Sequence, residues 1–87
     1  MGGTGCAPRD VTPEATASVV DKLVPGITHA VTQHSLRYEP HAMLSRAVAG
    51  IRDRTLIVNL PGRPKAVREN LAVIMPVMAH AVKQVTQ

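Results

Sequence analysis

A chain of 87 residues with ten Lys plus Arg against six Asp plus Glu, net charge +4, is one small domain at most, burying roughly 60–65% of its unfolded surface. Its apolar share of 45% suits a globular protein rather than a disordered tail, and with Tyr38 as the one aromatic residue the base-stacking nucleic-acid modules are nearly excluded. A single cysteine, Cys6, rules out an internal disulfide and argues against a Cys-based zinc site, and no apolar run approaches the ~20 residues of a membrane span.

The opening residues 1–10 hold three Gly and one Pro and read as loop. Met1 is followed by glycines rather than a basic and then an apolar stretch, so no signal peptide is visible and a reducing, cytoplasmic setting is expected. A first helix should follow, with Thr12 as N-cap, Pro13 at the first helical position and Glu14 in the first turn. Val19, Val20 and Leu23 form its apolar face, and Pro25-Gly26 ends it. Ile27, Ala30 and Val31 predict a second helix over 27–36, and residues 37–40 break it before a short helical turn over 41–44. Residues 47–51 and 55–60 are short, β-branched and apolar; the compact turn Arg52-Asp53-Arg54 between them requires an antiparallel hairpin. Leu56-Ile57-Val58 shows no alternation, which predicts a strand buried on both faces. After Pro61-Gly62, helical pattern runs from Pro64 to near Gln84 with Val67, Leu71, Ile74 and Met78 on one face, divided or kinked at Pro76. Two strands are too little sheet to hide their own edges. A glycine loop of this kind normally follows a strand, so the expectation is part of a larger domain.

The run Gly2-Gly3-Thr4-Gly5 can converge its amides on an anion, because glycine lets backbone N–H groups approach phosphate oxygens closely. By itself it reads more readily as a turn. Asp10, just before the first helix, could hold Mg²⁺ against phosphates there; on spacing alone, a loop carboxylate pairing Arg9 or capping an N–H is favoured. The four histidines, at 29, 34, 41 and 80, have no metal-ligand spacing. Arg52 and Arg54 read as solvated, whereas Arg63 and Lys65 could attract phosphate beside Pro61-Gly62.

Gly2-Gly3-Thr4-Gly5 followed by Pro8-Arg9-Asp10-Val11-Thr12-Pro13-Glu14-Ala15-Thr16 resembles the GGTG…RDVTPEAT signature of the molybdopterin adenylyltransferases, whose relatives include the gephyrin G domain. The resemblance continues through Ser35-Leu36, Met43-Leu44-Ser45-Arg46, Ala49-Gly50-Ile51-Arg52, residues 55–62 and Pro64-Lys65-Ala66-Val67, and covers essentially the whole chain. It implies a three-layer α/β/α molybdopterin-binding domain, usually trimeric, that transfers AMP from Mg²⁺-ATP to the terminal phosphate of molybdopterin and releases pyrophosphate. Carried over residue by residue, it implies Asp10 as the catalytic and Mg²⁺-holding carboxylate. Gly2, Gly3, Thr4 and Gly5 become the nucleotide-phosphate loop; Ser35, Ser45, Arg46, Asn59, Pro61 and Gly62 become positions around the molybdopterin pocket.

The family's domain is about twice as long, and its N-terminal half supplies the first strands and a second essential aspartate. Residues 1–87 are therefore expected to be the C-terminal half of the domain, an α/β fragment with a β-hairpin and three to four helices, of little or no activity alone. The alternative is a non-catalytic scaffold or oligomerisation module of gephyrin G-domain type. A basic nucleic-acid-binding domain fits poorly, since aromatics and a basic recognition helix are both missing.

Overall fold

The computed structural model describes residues 2–87; Met1, at the head of the expected opening loop, lies outside them. In chain order the elements are α1 (Thr12–Val19), β1 (Lys22–Leu23), α2 (Pro25–Ser35), a 3-10 turn (Pro40–Leu44), β2 (Ala49–Arg52), β3 (Thr55–Val58) and α3 (Pro64–Val85). Every helical element opens on a proline at its first or second position. The ring pre-sets φ there and removes an N–H that would have had no partner in the helix.

The same rule corrects the expected end of the first helix. Pro25 starts α2 rather than stopping α1, which ends at Val19 with Val20 already extended. Residues 21–24 instead run along the hairpin: Asp21 N–H donates to Ile51 O (2.7 Å) and Val24 N–H to Ala49 O (2.8 Å). The sheet therefore has three antiparallel strands in the order β1-β2-β3, with Lys22 opposite Ile51 and Leu23 opposite Gly50. Gly50 makes this possible, since a Cβ on it would stand 2.7 Å from Val20 Cγ1 and 2.9 Å from Lys22 O. The close approach of one backbone to another is what a glycine inside a strand signals.

The hairpin is as expected, with Ala49 opposite Val58 and Arg52 opposite Thr55. Its turn places Asp53 at φ 52°, a left-handed conformation that Asp tolerates, and Asp53 N–H donates to Asp21 Oδ2 (2.6 Å). Arg52 and Arg54 are not merely solvated. They donate to Val19 O (3.3 Å) and Thr86 O (2.9 Å), the carbonyl ends of α1 and α3, where a cation also meets the negative end of the helix dipole.

α2 and α3 pack against each other, α1 and α2 lie against β2, and α3 lies against β3. Ile74 is 4% exposed, with Val67, Leu71 and Met78 half-buried along the same row of α3. α3 continues unbroken through Pro76. Both Pro76 and Ala72, four residues earlier, are exposed, so the carbonyl that loses its intrahelical donor is on the solvent side. Leu56, Ile57 and Val58 are half-buried rather than fully covered, because no layer closes completely over either face of β3 among the described residues. Among these residues no helix is long and apolar enough to cross a membrane.

With Ala49 and Ile74 as the buried hydrophobic core among the described residues, the fold depends strongly on few side chains. Ile74→Ala is expected to cost about 2–4 kcal/mol, the usual range for deleting a buried aliphatic side chain. Met75→Ala, at a position 58% exposed, should stay within about 0.5 kcal/mol. Urea unfolding followed by circular dichroism compares the two.

Candidate functional site

The site begins with how the glycine loop is held. Thr12 is not an N-cap: Val11 takes that place without a side-chain bond, and Thr12 is the first residue of α1. Its hydroxyl is turned back into the loop, donating to Gly2 O (2.6 Å), while its N–H donates to Gly3 O (3.1 Å). Gly3 is left-handed, φ 68°, and a Cβ there would lie 2.6 Å from Thr12 Oγ1. The next two carbonyls go to Arg46, whose N–H donates to Thr4 O (2.8 Å) and whose Nε donates to Gly5 O (2.7 Å). Four consecutive carbonyls, from Gly2 to Gly5, are thus taken. The N–H groups of Gly3, Thr4, Gly5 and Cys6 donate to nothing among the described residues. A run of backbone with its acceptors satisfied and its donors open is a concavity for an anion.

Asp10 lies against this loop. Its Oδ2 accepts from Ala7 N–H (2.9 Å), its N–H donates to Ala7 O (2.9 Å), and a Cβ on Gly5 would be 3.0 Å from Oδ2. One oxygen therefore caps the turn, while Oδ1 has no hydrogen bond among the described residues. These residues contain no group of three or more His, Cys, Asp or Glu able to cage a metal. One half-buried carboxylate beside open amides fits a cation such as Mg²⁺, which keeps several waters and is held largely by phosphates.

Arg46 is a strut. Besides Gly5 O, its guanidinium donates to Asp10 O (2.6 Å) and to the Glu14 carboxylate. It does not line the neighbouring cavity. The Arg46 hydrogen bond holds the Glu14 carboxyl below its ordinary range, and the same bond raises Arg46. Cys6 Sγ adds a weak bond to Leu44 O (3.3 Å), so residues 44–46 are laced to the loop at several points.

Beside the loop is a cavity of about 410 Å³, within the range of small-molecule sites. Thr4 and Gly5 line it, together with Ser35, Ser45, Asn59, Pro61 and Gly62. Gly2, Gly3, Asp10 and Arg46 do not; they form the loop and its supports. Gly2 packs on Gly62, whose Cα would be 3.4 Å from a Cβ at position 2. Asn59 is 3% exposed and its amide is already committed: Oδ1 accepts from Val48 N–H (2.9 Å) and Nδ2 donates to Thr16 Oγ1 (2.7 Å). Arg63 is on the cavity wall, whereas Lys65 is not.

Several lining residues escaped the sequence reading. α2 contributes Thr28 and Thr32 with Ser35, and α3 contributes Glu69 and Asn70. The spacing 28, 32, 35 is one helical stripe of hydroxyls beside the apolar Ile27 and Val31, a periodic signal that was available. Tyr38 Oη donates to Glu69 Oε2 (2.9 Å), linking the end of α2 to α3. Partial desolvation and then the Glu69 carboxylate raise the Tyr38 pKa, so the phenol keeps its proton. That link has no local signature, since its partners are 31 residues apart.

The Glu14–Arg46 contact has a pH consequence. A carboxyl whose folded pKa is depressed contributes stability that is fully present above its unfolded value, about 4.3, and is lost as pH falls through the folded value. Thermal midpoints measured between pH 7 and pH 3 should fall at the acid end, and Glu14→Gln should flatten that fall by lowering the midpoints above pH 6 while leaving those near pH 3 little changed. An unchanged acid slope in the variant would place the titration elsewhere.

The family described as "Probable molybdopterin binding domain" matches residues 1–80. Gephyrin from Dictyostelium discoideum is 56% identical over 81 residues, covering 93% of this chain and 11% of that protein. Molybdopterin adenylyltransferase from Helicobacter pylori is 51% identical over 81 residues, covering 93% of this chain and 46% of its own length. The chain thus spans about half the length of that enzyme. The fold resembles the molybdopterin biosynthesis enzyme MoaB of Thermus thermophilus, with TM-score 0.89 and 55% identity over 98% of this chain and 54% of that one. It also resembles the molybdopterin biosynthesis Mog protein of Mycobacterium ulcerans, with TM-score 0.93 and 46% identity over 97% and 55%. A profile match over nearly the whole length, with the same α/β fold in both solved structures, means that the chain belongs to the probable molybdopterin-binding domain family.

Proposed function

We propose that residues 1–87 are the C-terminal half of a molybdopterin-binding, adenylyltransferase-like domain acting in molybdenum cofactor biosynthesis. The observation that carries this reading is the pairing of the open amides at residues 3–6 with a cavity of small-ligand size at the same place. An organic ring with a phosphate arm needs both features together. The names of the relatives support it: the Helicobacter pylori protein is a molybdopterin adenylyltransferase, and the fold neighbours are molybdopterin biosynthesis proteins.

In this reading the loop amides take phosphate oxygens of ATP, and Asp10 would hold Mg²⁺. The cation supplies charge neutralisation on the phosphates. Ser35, Ser45, Asn59, Pro61 and Gly62 surround molybdopterin; Arg46 acts on the site by keeping the loop carbonyls turned away from it. The terminal phosphate oxygen of molybdopterin attacks the α-phosphorus of ATP, a new P–O–P linkage forms, the α–β linkage breaks, and pyrophosphate leaves. This chemistry asks the protein for positioning and fixed donors rather than a protein nucleophile. A homotrimer in the cytoplasm, as the family resemblance implies, is part of the same proposal.

A second reading is the non-catalytic scaffold. It is favoured by the identity to Dictyostelium gephyrin and by an apolar groove between β3 and α3, lined by Leu56, Leu60, Leu71, Met78 and Val82. Sedimentation separates the two, since a scaffold must persist as a folded oligomer whether or not ligands bind.

Isothermal titration of the chain with molybdopterin and with Mg²⁺-ATP tests the main reading. Both should bind, and Asp10→Asn, which keeps an acceptor for Ala7 N–H but loses the charge, should weaken Mg²⁺-ATP by about tenfold or more without changing the circular dichroism. AMP transfer by the chain alone should be slight. Binding of neither ligand would sink the assignment; turnover at the rate of a full-length relative would sink the half-domain part of it.

A further inference from the structure

Glu69 is a half-buried carboxylate on the wall of a cavity already assigned to a ligand that carries a negative phosphate. It makes no salt bridge among the described residues: its one hydrogen bond there is from Tyr38 Oη to Oε2, and Oε1 accepts nothing. An acidic group in such a place repels phosphate and attracts N–H donors. We propose, resting on the molybdopterin-binding reading above, that Glu69 is the residue that recognises the pterin ring, accepting hydrogen bonds from its N3–H and exocyclic 2-amino group.

The chemistry fits on three counts. The 2-amino-4-oxo edge of a pterin presents two parallel N–H donors, the arrangement a carboxylate receives with both oxygens. Each carboxylate oxygen has two lone pairs, so Oε2 can serve Tyr38 and the ring together. Tyr38 holds the carboxylate in a fixed orientation before the ligand arrives, with the phenol kept protonated as a donor. Asn70, next to Glu69 on the cavity wall, offers both a donor and an acceptor for the 4-oxo and ring-nitrogen groups. The charges also set the direction of binding. Repulsion from Glu69 sends the phosphate arm toward the end of the cavity lined by Thr4 and Gly5, beside the loop assigned to the nucleotide, and leaves the ring edge at α3.

The test compares pterin with lumazine, which carries a 2-oxo group in place of the 2-amino group, by fluorescence titration of the 87-residue chain. Pterin should bind about ten- to a hundredfold more tightly, the range for a charge-assisted hydrogen bond exchanged for a carboxylate facing an oxygen. Glu69→Gln should abolish or invert that preference, because the amide can donate to the 2-oxo group. Tyr38→Phe, which removes the link to α3 but leaves the carboxylate, should keep the preference even if both affinities fall. A general loss of fold cannot produce this pattern. Equal binding of pterin and lumazine by the wild-type chain, or a preference that survives Glu69→Gln, overturns the proposal while leaving molybdopterin binding itself intact. Failure of the wild-type chain to bind molybdopterin overturns both.

Discussion

The arrangement depends on one constraint: the carbonyls of residues 2–5 all find donors on Thr12 and Arg46, neither of which lines the cavity. A peptide plane fixes the N–H opposite the C=O, so satisfying the acceptors from below aims the donors outward. Two residues do this. Thr12 supplies a hydroxyl and an amide, and Arg46 supplies an amide and its Nε. Gly3, at a positive φ with Thr12 Oγ1 where its Cβ would be, is the position that lets the loop bend far enough to reach them. The cluster of glycines and the two polar residues that flank the loop are parts of one device.

The charge of Arg46 is accordingly directed into the structure. Its guanidinium meets a carboxylate, Glu14, and two carbonyls. The net effect on an approaching anion comes from the loop dipoles more than from the cation itself. A lysine in this place would have one nitrogen to satisfy three acceptors in different directions, which the planar fork of arginine does readily. The contribution of the ion pair to stability is small at such exposure; its contribution to loop geometry is the larger matter.

Much of the fold was legible because it is encoded locally. Pro13 and Pro64 at helix starts, the hairpin around Asp53 and the row through Ile74 are short-range patterns, and they predict elements close to those found, whereas Pro25 and Pro40, which read as breaks, open helical elements instead. β1 was missed because two residues carry no period; its trace in the sequence was Gly50, a glycine in a partner strand 27 positions away from Leu23. Asp10 caps a loop N–H, one of the two roles its spacing alone favours, whereas Thr12, expected as the N-cap of α1, is its first residue and turns its hydroxyl back to Gly2 O. Arg46 and Glu69 show the limit most clearly. Position in a motif says that Arg46 is near the site, but whether it faces ligand or loop depends on Gly5, Asp10 and Glu14, all distant in sequence. Glu69 carries no motif at all and becomes interesting only when the cavity is seen.

The link between the two halves of the site is a buried polar triangle. Asn59, at the end of β3, joins Thr16 in α1 to the backbone of Val48 before β2. Its own N–H donates to Val48 O (2.9 Å), so the pair closes in both directions. Because Asn59 is nearly fully buried, losing it would strand a donor and an acceptor away from water. A hydrophobic residue of similar size could fill the space but could not fix the register. The segment that follows, Pro61-Gly62, is held in place from this anchor and receives Gly2 against Gly62. Loop and cavity wall therefore share one foundation, and a phosphate seated on the loop amides is set at a defined position relative to a ring in the cavity.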